Sequence, residues 1–155
     1  MNFTDFIKKF NLIEWYLQLT PVDKETVIKY SPMNNEKNFQ QYHIFQINSP
    51  AAFLWVTGAN LIPQNHYLLA ECCLLKALEI DPNIEDSAHI FSNLAQLYYD
   101  LWLTTHSNMD SFGYDETRYQ YLCRYYCNRT IETGYFETWA NNLLSTLETA
   151  SVEWI

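Results

Sequence analysis

The chain has 155 residues, enough to bury the core of one domain without disulfides or metal. A hydrophobic share of 48% with 17% aromatics excludes a disordered chain, and no run reaches the ~18 apolar residues of a membrane helix. The formal net charge of −9 repels phosphate backbones, which argues against nucleic-acid binding and makes a basic protein partner the natural complement.

Only three glycines and five prolines interrupt the chain, which favours long helices over a many-turned β fold. The N-terminus, MNFTDFIKKFNLIEWYLQL, sets Asp5 and Glu14 among its apolar positions. It reads as an amphipathic helix and not as a signal peptide, so the expected location is cytoplasmic. The spacing predicts a helix over 3–18, with Phe3, Phe6, Ile7, Phe10, Ile13, Trp15 and Leu17 forming a broad apolar face. Thr20-Pro21-Val22-Asp23 is a helix start, with a hydroxyl cap, proline at the first helical position and a carboxylate facing free N–H groups; this helix ends near Tyr30.

Residues 31–37 read as a polar loop, and Phe39–Ile47 as a helix or an edge strand, with helix favoured because no strand partner is in sight. Ser49-Pro50 restarts a helix over 50–62, with Gly58 placed for a close helix crossing. After Pro63-Gln64-Asn65 comes a helix over 66–80, ended by Asp81-Pro82-Asn83. A third amphipathic helix covers 85–103, with Phe91, Leu94, Ala95, Tyr98 and Leu101 on one face. A polar loop over 104–113 leads to a tyrosine-rich helix at 114–132. Gly134 stops that helix, and 135–149 forms the last one, with Trp139, Leu143, Leu144 and Leu147 inward. The fold class is therefore all-α: antiparallel helical hairpins in a short superhelix or a compact helical domain of about seven helices. The expected organisation is one domain over 1–155, with N-terminal helices in 1–49, a hairpin core in 50–103 and a C-terminal helical pair in 114–149.

Within 50–103, Leu54, Gly58, Tyr67, Ala70, Leu74, Ala77 and Pro82, above all KALEIDPN at 76–83, resemble the tetratricopeptide repeat, a helix–turn–helix unit of about 34 residues. Phe91, Leu94, Ala95 and Tyr98 resemble a second, partial copy, displaced by 37 residues. Leu61 stands where the family usually has an aromatic residue, and residues 1–49 carry no repeat signal. The resemblance implies a superhelix whose concave groove binds peptides or helices. It puts Trp55, Ala59 and Ile62 in that groove from one unit and His89, Ser92, Asn93, Gln96 and Tyr99 from the next. Members that grip a C-terminal carboxylate use Lys, Arg and Asn; only Asn93 matches here, so an aromatic or basic ligand is implied instead.

Residues 77–155 hold three arginines against twelve carboxylates and account for the whole net charge of −9. Asp81, Glu85, Asp86, Asp100, Asp110, Asp115 and Glu116 form either a solvated acidic face or a phosphate mimic. Arg118, Tyr121, Arg124, Tyr125 and Arg129 suit a second protein interface, or a core filled with tyrosine whose hydroxyls reach solvent. Cys72 and Cys73 are adjacent and point roughly 100° apart on a helix, so they do not share one ion readily. Cys123 and Cys127 lie on one helical face without the tight turn of a zinc site, and all four read as buried packing groups. His43, His66, His89 and His106 form no paired-ligand motif, and no glycine-rich phosphate loop is present. No catalytic residue, metal or cofactor is assigned. The leading expectation is a non-catalytic intracellular module, an adaptor or regulator, that docks a protein or peptide partner of basic or aromatic character without binding nucleic acid or membrane. The alternatives are an acidic inhibitor or immunity protein neutralising a basic toxin or nuclease, and a small hydrolase or metal-dependent enzyme.

Overall fold

A computed structural model describes residues 3–32, 49–82, 87–107 and 114–153, and every regular element among the described residues is helical. The chain divides into two units, Met1–Pro82 and Asn83–Ile155. The predicted Phe39–Ile47 element, most of the 31–37 loop, and Trp154 and Ile155 lie outside the described residues.

In the first unit the apolar stretch predicted as one helix over 3–18 is two, α1 (Phe3–Lys9) and α2 (Ile13–Leu17). Asn11 adopts a left-handed backbone with φ 57° between them. The Leu12 N–H then donates to the Ile7 carbonyl at 2.9 Å and the Asn11 N–H to Lys8 at 3.4 Å, the two bonds of a Schellman C-cap. The break turns the apolar face: Leu12 becomes fully buried, whereas Ile13 and Leu17, predicted inward, are exposed. Phe3, Phe6 and Ile7 remain inside, and the Phe6 ring meets that of Phe53 at 4.4 Å.

Helix α3 (Pro21–Tyr30) starts as the sequence predicts, Thr20 Oγ1 accepting from the Asp23 N–H at 3.1 Å. Ser49 caps α4 (Pro50–Leu61) in the same way, accepting from Ala52 N–H at 3.1 Å. A 3₁₀ turn (Ile62–Gln64) and left-handed Asn65 close a second Schellman cap before α5 (Tyr67–Ile80), through Asn65 N–H to Ile62 and His66 N–H to Leu61. Helices α4 and α5 form a hairpin whose closest crossing is at Gly58, where a Cβ would lie 2.8 Å from Leu74 Cγ and 3.3 Å from the Ala70 carbonyl.

The second unit contains α6 (Ser87–Ser107), α7 (Tyr114–Glu132) and α8 (Glu137–Glu153), with α6 packed on α7 and α7 on α8. The helix runs on past 104, where a loop was predicted, and Thr104 and Thr105 lie within it, their hydroxyls donating to the Asp100 and Leu101 carbonyls. The α6–α7 seam is a ladder of rings: Tyr98 stacks on Tyr126 at 5.8 Å and on Tyr119 at 6.2 Å, and Phe91 on Tyr126 at 6.1 Å. Beside these rings, α7 contributes small buried groups, Cys123, Cys127 and Thr130, and α8 contributes Ala140, Leu143 and Leu147. Gly134, at φ 81°, ends α7 as predicted. Phe136 is also left-handed, at φ 61°, so α8 begins at Glu137 instead of 135.

Candidate functional site

One face of α6 repeats polar side chains at helical spacing: His89, Ser92, Asn93 and Gln96. They are all half-buried, so each is held by the helix yet reaches solvent. Opposite them stand Phe136, from the α7–α8 turn, and Trp139, from the first turn of α8. The six residues line an open cleft of about 440 Å³. The Phe136 ring meets His89 edge-on, centroids 5.0 Å apart, which ties the turn to α6. Left-handed backbone is costly for a bulky aromatic residue, and here it keeps the ring at the cleft.

The polar groups on the α6 wall are oriented. Ser92 donates its hydroxyl hydrogen to the His89 carbonyl at 3.0 Å, leaving its oxygen as an acceptor. Gln96 Nε2 donates to Asp100 Oδ1 at 3.0 Å, which fixes the amide, since a flipped one would set oxygen against oxygen. Asn93 makes no side-chain hydrogen bond among the described residues. Asp100 behind Gln96 is half-buried, and desolvation raises its carboxyl above the usual range despite the opposing effect of the Gln96 bond.

Four of the eight residues that the resemblance placed in a groove, His89, Ser92, Asn93 and Gln96, line this cleft. Tyr99 is not among its lining residues; its ring lies 6.1 Å from Trp102, and burial, Cys123 and Asp100 together raise its hydroxyl pKa. Trp55 and Ile62, in the first unit, are buried, and Ala59 is half-buried. Neither Trp55 nor Ile62 presents more than a sliver of side chain, since apolar residues at those positions complete the interior around α4. The two aromatic residues of the cleft were not assigned to it from sequence. Their signal is the Tyr-Phe pair directly after Gly134, three residues before Trp139.

The tyrosine-rich helix α7 has two faces. Tyr119 and Tyr126 face α6, whereas Tyr121 and Tyr125 are exposed and stack at 6.4 Å. Arg118 is exposed and lies over Tyr119, and Arg124 is half-buried. Arg129 is engaged within the fold, its guanidinium 4.9 Å from the Phe91 ring centroid and 2.8 Å from Glu132. Of the acidic set, Asp81 is exposed and Asp100 is half-buried behind Gln96. Glu85, Asp86 and Asp110 lie outside the described residues, and Asp115 and Glu116 are placed only as part of the first turn of α7.

All four cysteines are free; Cys73, Cys123 and Cys127 are buried and Cys72 half-buried. A thiol hydrogen bond to Cys127, then burial, push the Cys123 thiol up. Burial does the same for Cys73. No group of three or more His, Cys, Asp or Glu side chains among the described residues is arranged to hold a metal ion. His66 packs by Tyr30 in the first unit and His89 lines the cleft of the second; His43 lies outside the described residues. No helix among the described residues is long and apolar enough to cross a membrane. Comparison with family models, curated proteins and solved structures returns no match for this chain.

Proposed function

We propose that the chain is a non-catalytic binding module, an adaptor or regulator, that docks a peptide segment of a protein partner in the cleft between α6 and α8. The observation that carries this reading is the cleft itself: four polar side chains at helical spacing on one wall, and two aromatic rings on the other. Aromatic rings supply contact area at small entropic cost, and fixed polar groups supply register, the combination that recurs at peptide-binding sites. The same α6 residues are those that the tetratricopeptide-repeat resemblance assigns to a ligand-facing groove, and the acidic character of residues 83–155, three arginines against ten carboxylates, favours a basic or aromatic partner.

The test is selection of binders from a displayed random peptide library on the intact chain, followed by affinity measurement on variants. Asn93→Ala and Trp139→Ala are expected to weaken the selected peptides at least tenfold, about 1.4 kcal/mol. Tyr121→Ala, on the exposed face of α7, leaves them unchanged, and circular dichroism confirms that all three variants keep their helices. Selected peptides that bind both cleft variants as they bind the wild type would place the docking site elsewhere.

A further inference from the structure

The docking reading leaves open what the cleft recognises, and the hydrogen-bond state of its α6 wall restricts the answer. Ser92 and Gln96 each have a donor hydrogen engaged inside the protein, by the His89 carbonyl and by Asp100, and both keep an acceptor oxygen for a ligand, Gln96 with one amide hydrogen beside it. Asn93 adds a whole amide with no side-chain bond among the described residues. Three acceptor oxygens on one wall, those of Ser92, Asn93 and Gln96, serve a ligand group rich in donors.

Charge points the same way. There is no Lys or Arg between Ala77 and Thr117 and none after Arg129, so neither α6 nor α8 carries a lysine or arginine. Arg129 is occupied by Phe91 and Glu132. Asp100 stands directly behind the Gln96 amide and polarises it toward a positive ligand. Across the cleft stand the aromatic rings of Phe136 and Trp139, and the quadrupole of such a ring attracts a planar cation.

On the premise that the cleft is the docking site, we propose that it holds an arginine side chain of the partner. The guanidinium packs against Phe136 and Trp139, and its N–H groups donate to the oxygens of Ser92, Asn93 and Gln96. Arginine fits better than lysine because its five donors lie in a rigid plane that stacks on aromatic faces while bonding at its edge. A volume of about 440 Å³ accommodates that side chain with the backbone of its neighbours.

The test uses the intact chain and four synthetic nonapeptide libraries, random except at the central position, which is arginine, lysine, citrulline or alanine. Citrulline keeps the shape of arginine but removes its charge and two of its five donors, with an acceptor oxygen in their place. Binding is followed through the backbone amide signals of Ser92 and Asn93 and the Trp139 indole signal in nitrogen-15 NMR spectra. The arginine library is expected to shift all three at concentrations at least tenfold lower than the citrulline and alanine libraries, and several-fold lower than the lysine library. Phe136→Ala should narrow the arginine-to-citrulline ratio to less than threefold. If the three signals move equally for all four libraries, the cleft binds peptides but the arginine anchor is wrong. If none of the libraries moves them, the docking reading fails and takes the anchor with it.

Discussion

A methyl group on Gly58 has nowhere to go. Its Cβ would lie 2.8 Å from Leu74 Cγ and 3.0 Å from Leu74 Cδ2, and Leu74 is fully buried. Alanine gains about 1 kcal/mol of helix propensity over glycine. Overpacking a filled core costs about 1–3 kcal/mol, and here the crowded atom is a branch point instead of a mobile tip. Gly58→Ala is therefore expected to lower stability by about 1 kcal/mol in urea unfolding. In a Leu74→Ala background the same change should cost clearly less, because the Leu74 clash is gone and only the 3.3 Å approach to the Ala70 carbonyl opposes the propensity gain; equal losses in both backgrounds would refute the crossing argument. Asp100 poses an electrostatic question instead. Burial raises its folded pKa, so the native state binds the proton more tightly than the unfolded chain does. Its contribution is most favourable below the ordinary aspartate value of 3.8 and declines as pH rises through the higher folded value. Asp100→Asn, which keeps an acceptor for Gln96, should be more stable than wild type at pH 7 and indistinguishable from it near pH 3. A stability loss at pH 7 would mean that the charge is favourable where it lies.

The elements best read from sequence are those with chemical punctuation. Thr20-Pro21 and Ser49-Pro50 predicted caps that are present as hydroxyl-to-N–H bonds, and Gly134 predicted the end of α7. Two of the boundary errors fall where a residue other than glycine takes a left-handed backbone. Asn11 lies inside an unbroken apolar rhythm, and periodicity cannot register a turn that consumes one residue without changing the composition around it. Phe136 is the stronger case: nothing in an aromatic residue advertises φ 61°, yet that turn brings one wall of the cleft into place. The α6 wall was legible because residues on one helical face are fixed by spacing, whereas the facing rings depend on a tertiary approach between helices that no local pattern encodes. The Asn11 turn can be tested directly. Its side chain is exposed, so replacement probes the backbone with little loss of packing. Asn11→Ala should cost about 1 kcal/mol, the penalty of left-handed backbone at a residue with a Cβ, whereas Asn11→Gly should be neutral or slightly stabilising. If alanine and glycine behaved alike, the Schellman geometry would not be what ends α1.

Charge is distributed unevenly over the molecule. Residues 83–155 carry three arginines against ten carboxylates, a net of −7, whereas residues 1–82 carry six lysines against eight carboxylates, a net of −2. Self-repulsion destabilises a compact state, and salt screens it over a Debye length of about 10 Å at 0.1 M. Ion pairs such as Lys76–Glu79 and Arg129–Glu132, exposed neighbours on single helices, each offset little of this repulsion. The two units should therefore respond differently to ionic strength, and a single melting temperature would blur them together. Hydrogen exchange followed by mass spectrometry separates the two responses. Raising sodium chloride from about 10 mM to about 300 mM, which shortens the Debye length from ~30 Å to ~6 Å, should slow exchange in α6, α7 and α8 severalfold and leave α4 and α5 nearly unchanged. Uniform slowing along the chain would indicate a general salt effect on burial, and would show that the acidic excess of the second unit does not strain its fold.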